Sequence, residues 1–453
     1  MLLPAPVFGH GLVGRADLPI PEELFAGAAA VVLVVSFAAL ATLWSAPRLQ
    51  EPRERRLFRL PLLVDVVLAL AGVAAFAAVV YAGLAGTDAE QDNLAPNAVF
   101  VTLWVGVSFA SLVLGDVFRL LSPWRAIGRA VGSVVARVAP AEPLPYPEWL
   151  GRWPAFAGIV GFGVCELCWA GGREPQTLAI LAVLYLVVAL VGMSLYGVEP
   201  WSRNADPLGA YFSLFARLAP LTRRDGVLLA RVPGTGAVGL DPIPGTAALV
   251  IAAIGITAFD GASEGPLFNA AAPHLQDFFE GLGASKGVAL ELAFGVGLAV
   301  TLALVAAIYR GAIEGMPLRG LRTPHSHDDL ARALVHTLLP IAAAYVVAHY
   351  FSLLAYNGQD LWRLASDPLG DGSDLFGGAG AGIDYSVVSA TAIWYVQVGA
   401  LVISHVAALI LGHDRALALY ADPKEATRSQ VVMLVLMVCF TCLGLWLLSA
   451  SNS

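Results

Sequence analysis

The sequence predicts an all-α protein, a polytopic bundle of about ten transmembrane helices forming one integral membrane domain over residues 1–453. Three observations carry this. The chain is 58% hydrophobic and only 13% charged, about half the charged share of an ordinary soluble domain. Apolar runs of spanning length recur from end to end. Basic residues concentrate in every second connection.

The runs lie near 24–44, 61–85, 98–118, 154–170, 176–196, 245–259, 287–310, 330–355, 384–412 and 429–450. Each must be helical, because lipid offers no partner to an open strand's backbone. The first run acts as its own insertion signal. No basic segment precedes it, and Arg15 is offset by Asp17, Glu22 and Glu23.

Orientation follows from the arginines. Arg48, Arg53, Arg55, Arg56 and Arg59 follow the first run. Further groups follow the third, fifth, seventh and ninth: Arg119 to Arg152, Arg203 to Arg231, Arg310 to Arg332, and Arg415 to Arg428. Only Arg15, Arg173, Lys286 and Arg363 fall to the other face. The positive-inside rule then puts both termini outside the cytoplasm. The formal net charge of -8 is therefore split between two unlike faces. The expected location is a bacterial cytoplasmic membrane, and the expected partner is the lipid bilayer. No nucleic-acid partner is expected, and oligomeric state is open.

Two arginine-side connections are long, 119–152 and 197–244. Segments such as PLGAYFSLFARLA predict interfacial helices with arginines toward anionic headgroups. Gly115 precedes Pro123-Trp124 by the spacing at which Gly192 precedes Pro200-Trp201, an echo that interfacial tryptophans and helix-ending prolines also explain. On the acidic side, HLQDFFEGL predicts a short amphipathic helix. The loop DPLGDGSDLFGGAGAGID reads as a flexible lid or a weak cation site, without the acidic spacing of an EF-hand.

Buried ionisable residues are the functional signal, since charge within lipid is costly. Four of the eight histidines fall in two late runs: His336 and His349, then His405 and His413. With orientation assigned, depths compare. Asp65, Asp116, His336 and His405 form an inner layer, suited to a divalent metal. Glu166, Glu291 and His349 form an outer layer, where a metal-activated water would be a hydrolytic nucleophile. Interhelical hydrogen bonding is the plain alternative for both layers. His336 and His349 lie roughly 220° apart around a helix, so they cannot share one ligand. His413 is expected at the water boundary, against the helix dipole.

Other signals are weaker. Cys165/Cys168 and Cys439/Cys442 each place two sulfurs on one helix face, which suits a soft metal, although small apolar packing explains them better. Gly234, Gly236 and Gly239 spell a dinucleotide fingerprint, but Pro242 and Pro244 follow at once and the context fails. Runs four and six are short and glycine-containing, as broken helices around a transport site are; close packing through small residues gives the same pattern.

The stretch from His10 to Pro21, HGLVGRADLPIP, resembles the opening of actinobacterial membrane proteins described as fenitrothion hydrolases. VVAHYFSLLAYNGQD and IWYVQVGALVISHVAALILGHDRAL are similar to that family too. The resemblance implies hydrolysis of an organophosphate triester, a hydrophobic small molecule able to arrive through the bilayer. It carries over no catalytic residue. Three expectations follow: a membrane-embedded hydrolase using Glu166, Glu291 and His349; a proton- or metal-coupled transporter using the same groups; or a redox or assembly protein holding metal or haem through His336, His349 and His405.

Overall fold

A computed structural model describes residues 22–138 and 142–450. Among the described residues, seven helices are long and apolar enough to cross a membrane. They are α2 (Leu62–Ala85), α3 (Leu94–Leu114), α6 (Pro175–Tyr196), α8 (Thr246–Ser263), α10 (Lys286–Glu314), α11 (His327–Asn357) and α12 (Ala390–Leu419). Two shorter helices complete the pattern of runs one and four, α1 (Glu22–Leu43) and α5 (Trp153–Leu167). The last run forms α13 (Val431–Ala450). The all-α expectation stands, with three short strands added.

Burial sorts the helices. In α8 and α11, 61% and 56% of the apolar window is enclosed by protein, against 6% in α2 and 11% in α10. The first pair is the centre of the bundle, and the second is sheathing. Lipid tails are as apolar as leucine, so packing between helices rests on close contact. Gly158 lets Pro207 approach α5, and Gly163 lies against Ile256 of α8; an added Cβ would stand 2.1 Å and 3.1 Å from them. Gly158 and Gly163 of run four thus serve packing, as does Gly255 of run six against Leu302, while Gly161 faces open space, and both helices run unbroken.

The irregular helices are others. α3 contains a π-helical stretch, Asn97–Gly106, and α11 tightens to a 3-10 turn at Val335–Leu338. Pro340 accounts for the second, because it has no N–H to return to the His336 carbonyl.

The arginine-rich end departs most from expectation. Residues 221–231 form a hairpin, β2 (Leu221–Arg224) and β3 (Val227–Arg231), and β1 (Glu54–Arg59) joins it in the order β1-β3-β2, all antiparallel. Asp225 and Gly226 turn the hairpin with φ of 51° and 78°, as a two-residue turn demands. The segment PLGAYFSLFARLA does not lie on the surface. Its helix, α7 (Pro207–Ala216), buries Leu208, Tyr211, Phe212, Leu214 and Phe215 between α3 and α5. With three aromatic rings and no charge it is too apolar for a headgroup layer. The amphipathic surface helix is α4 (Pro123–Val138), which packs on α2 and α6 and exposes Arg129.

At the acidic end, α9 (Pro266–Gly281) is the expected helix and lies along α10. The Gly/Asp-rich loop is bound to itself. Asp367 accepts hydrogen bonds from Asp371 N, Gly372 N and Ser373 Oγ, and Asp374 accepts from Ala379 N at 3.0 Å. Burial raises the Asp367 carboxyl, but those hydrogen bonds outweigh it and hold the pKa below the usual range.

Candidate functional site

The central helices α8 and α11 meet at Asp260. The sequence reading ended the sixth run at residue 259, so it left this carboxylate in a loop. The helix continues to Ser263 and encloses Asp260 at 5% exposure. Two consecutive residues of α11 converge on one of its oxygens. His349 Nε2 lies 3.0 Å from Asp260 Oδ2, and the Tyr350 hydroxyl donates to the same atom at 2.7 Å. Adjacent helical residues diverge by roughly 100°, so only a partner in the cleft between them can be reached by both. Gly261 leaves the imidazole its place: a Cβ there would stand 3.4 Å from His349 Nδ1.

Glu166 of α5 approaches from the other side. Its charge acts on Asp260, Tyr350 and Tyr211, and the Arg173 guanidinium acts on it from the acidic end. Oε2 of Glu166 is closed off from solvent without a hydrogen-bond partner. One helical turn earlier, Phe162 packs on Trp104 at 4.5 Å, and Trp104 stacks on Tyr211 at 4.3 Å with planes 9° apart. The cluster therefore spans five elements: α3 through its π-helical stretch, α5, α7, α8 and α11. A π-helical stretch inside a helix is frequent at functional sites.

Of the expected outer trio, Glu166 and His349 come together through Asp260. Glu291 does not join them. It accepts from Ala170 N at 3.1 Å and caps the turn that follows α5. The inner group is dispersed. Asp65 is bound by both terminal nitrogens of Arg223, the second at 2.9 Å. Asp116 accepts from Arg119 N at 3.3 Å. His405 Nδ1 donates to its own helix at Leu401 O, 2.7 Å away. His336 is buried beside Arg415 and Asp414 at the 3-10 turn. Among the described residues, no three His, Cys, Asp or Glu side chains gather as a metal site. The inner-layer metal expectation for Asp65, Asp116, His336 and His405 is thus corrected: the four do not gather, and His336 Nε2 is buried without a hydrogen-bond partner.

His413 is also corrected. It is 1% exposed rather than at the water boundary. The chain leaving α1 folds over it, Nε2 donates to Trp44 O at 3.0 Å, and Nδ1 accepts from Gln430 Nε2 at 3.2 Å. Beside it, Asp414 accepts from Trp44 Nε1, Arg48 N, Leu49 N and Gln50 Nε2, at 3.1, 2.5, 3.0 and 2.6 Å. Cys165 donates to Gly172 O at 3.3 Å and Cys168 is buried without a disulfide. The Cys442 side chain and the stretch 10–21 lie outside what the structure describes.

No family model, no curated protein and no solved structure matches the chain. The site is therefore read from its chemistry alone. A carboxylate, an imidazole and a phenol in hydrogen-bond contact can exchange protons, and Glu166 Oε2 and the Tyr211 hydroxyl are buried nearby without hydrogen-bond partners. An imidazole held by a carboxylate is also oriented to take a proton from a water or a substrate.

Proposed function

We propose that this is a multi-pass protein of a bacterial cytoplasmic membrane in which Glu166, Asp260 and His349 form a proton-exchange site that drives transport of a small hydrophobic molecule. The observation that supports it is the shared oxygen: Asp260 Oδ2 holds both His349 and Tyr350, inside the two most enclosed helices. Titratable groups set in the middle of a bundle mark proton relays by default. Ten spans, with both termini on the outer face and the arginine-rich end in the cytoplasm, complete the reading. A reporter fusion at Arg55 that scores as cytoplasmic supports that topology, and one that scores outside overturns it.

The test is reconstitution in liposomes carrying an internal pH indicator. A panel of lipophilic amines, acids and aryl phosphotriesters is added outside at a fixed membrane potential. The proposal expects at least one solute to drive proton movement that Asp260→Asn abolishes. Solute-independent signals equal in wild type and variant would overturn it.

The second reading is hydrolysis of an organophosphate triester. The Asp260–His349 pair favours it, because the carboxylate orients the ring as a general base for water. Here the same liposomes release the aryl alcohol from the triester without proton movement across the bilayer. A third reading, haem or metal held by His336, His349 and His405, has no such support, since no three His, Cys, Asp or Glu side chains gather among the described residues.

A further inference from the structure

The proton-exchange site has polar neighbours that its own chemistry does not use. They lie on one stripe of α3. Trp104, Ser108 and Ser111 are spaced four and three residues apart, so they share one helix face, and they are 1%, 0% and 0% exposed. That face meets α7. A serine in an apolar membrane helix commonly returns its hydroxyl to the preceding turn, and Ser108 does so, donating to Trp104 O at 2.6 Å. Ser111 Oγ has no hydrogen-bond partner, nor has Trp104 Nε1. Such atoms are rare in a packed interior and costly unless water reaches them.

The stripe connects two titratable groups. At its upper end Tyr211 stacks on Trp104, and its hydroxyl is likewise buried without a hydrogen-bond partner, as is Glu166 Oε2 one turn along α5 from the Phe162 ring that packs on Trp104. Past its lower end the chain reaches Asp116, at the arginine-rich end, whose charge acts on Asp206. Asp206 is 2% exposed. Trp124 Nε1 donates to its Oδ2 at 2.8 Å and the Tyr185 hydroxyl donates to Oδ1. Burial lifts Asp206 to about 6, against the pull of those donors and of Gly209 N, with Asp116 adding to the rise. Asp116 itself is only half-buried, which gives the stripe an opening to water at that end.

We infer that the α3–α7 interface is a proton path, running from Asp116 and Asp206 through Ser111, Ser108 and Tyr211 to Glu166. The inference rests on the proton-exchange reading of the core site and adds the face from which that site is supplied. Each hydroxyl, or a water beside it, accepts a proton from the preceding group and releases one to the next, Ser108 turning its hydrogen away from Trp104 O to do so. One proton leaves the water at Asp116 or Asp206, one arrives on the Glu166 carboxylate, and no hydroxyl keeps a charge. Waters bridge the steps between Ser111 and the two aspartates, since a buried polar atom without a protein partner is where ordered water binds. The path explains why α7 is drawn into the bundle: stacking on Trp104 sets the Tyr211 hydroxyl among the other buried, unpartnered polar atoms of this interface.

The test uses the full chain in liposomes and the infrared carboxyl band of Glu166, assigned by its loss in Glu166→Gln. The pH is stepped on one face at a time. Wild type is expected to re-equilibrate after a step on the arginine-rich face. Tyr211→Phe keeps the ring on Trp104 and removes the hydroxyl, and should slow that response by about 100-fold. Ser111→Ala should slow it by about 10-fold, because water replaces a serine hydroxyl in part. Tryptophan fluorescence and a cooperative thermal transition report that both variants are folded. A wild-type band that responds equally in both variants, or responds only from the acidic face, overturns the path and leaves the core site standing. A band that responds from neither face overturns the core site itself.

Discussion

The two ends of this molecule bury charge in opposite ways. At the arginine-rich end Asp414 and Glu199 are each saturated with donors. Asp414 receives four donors, all from the segment between α1 and β1, the Trp44 indole among them. Glu199 lies among Arg119, Arg125 and Arg129 at 2.6–2.7 Å. Burial pushes the Glu199 carboxyl up, but Arg125, Arg119 and Arg129 outweigh it and hold the pKa to about 2. In the core, Asp260 has an imidazole and a phenol instead, and Glu166 keeps an oxygen without a donor. Saturated charges fix structure. Charges whose partners can themselves lose or gain a proton are free to exchange it. The inner layer and the outer layer look alike as residue types, and this difference in partners separates them.

The largest effect expected is from Asp260→Asn. It keeps the shape and removes the proton acceptor, so solute-driven proton movement or triester turnover should fall by on the order of 100-fold or more, while the melting temperature changes little. Next, His349→Ala should abolish activity of either kind. His413→Ala, which empties a buried site with two hydrogen bonds, should leave turnover per folded molecule intact and lower the melting temperature. Equal, mild losses from both would erase the contrast between the two ends.

Asp414→Ala sharpens the other side. It strands four donors in a junction that ties the exit of α1 to α12. We expect about 3 kcal/mol of destabilisation, read by thermal unfolding in detergent, with activity of the folded fraction unchanged. The smallest effect is the pH dependence of the Glu199 clamp. A carboxyl whose folded pKa is lowered contributes stability above its unfolded value, and that contribution fades as pH falls from about 4.5 toward about 2. Glu199→Gln should remove this part of the acid slope. A slope identical to wild type would show that the arginines gain nothing from the charge.

Much of the fold was legible in the sequence. Apolar runs mark the helices, and among the described residues seven of the runs stand as helices long and apolar enough to span. The hairpin was legible too, in the Asp225-Gly226 turn between LTRR and VLLAR, but a search for membrane helices looks past it. α7 was misread because amphipathic surface helices and short buried helices are both rich in aromatic residues. Absence of charge between Pro207 and Ala216 was the signal that separates them. His349 and Glu166 could be named because ionisable residues in apolar runs stand out. Asp260 was lost through a boundary placed one residue short, and Glu291 was included because depth alone does not say which face of a helix a residue occupies. Tyr211 and Ser111 carry no charge, so nothing in the sequence marks them. Their meaning comes only from which helices meet.

The most direct test of the central claim is an infrared titration of the purified protein between about pH 4 and about pH 9. The account predicts a protonated-carboxyl band that changes with pH and is altered by each of Glu166→Gln, Asp260→Asn and His349→Gln, because the three groups share their protons. A carboxyl region that stays constant across that range, or that changes identically in all three variants, would contradict it.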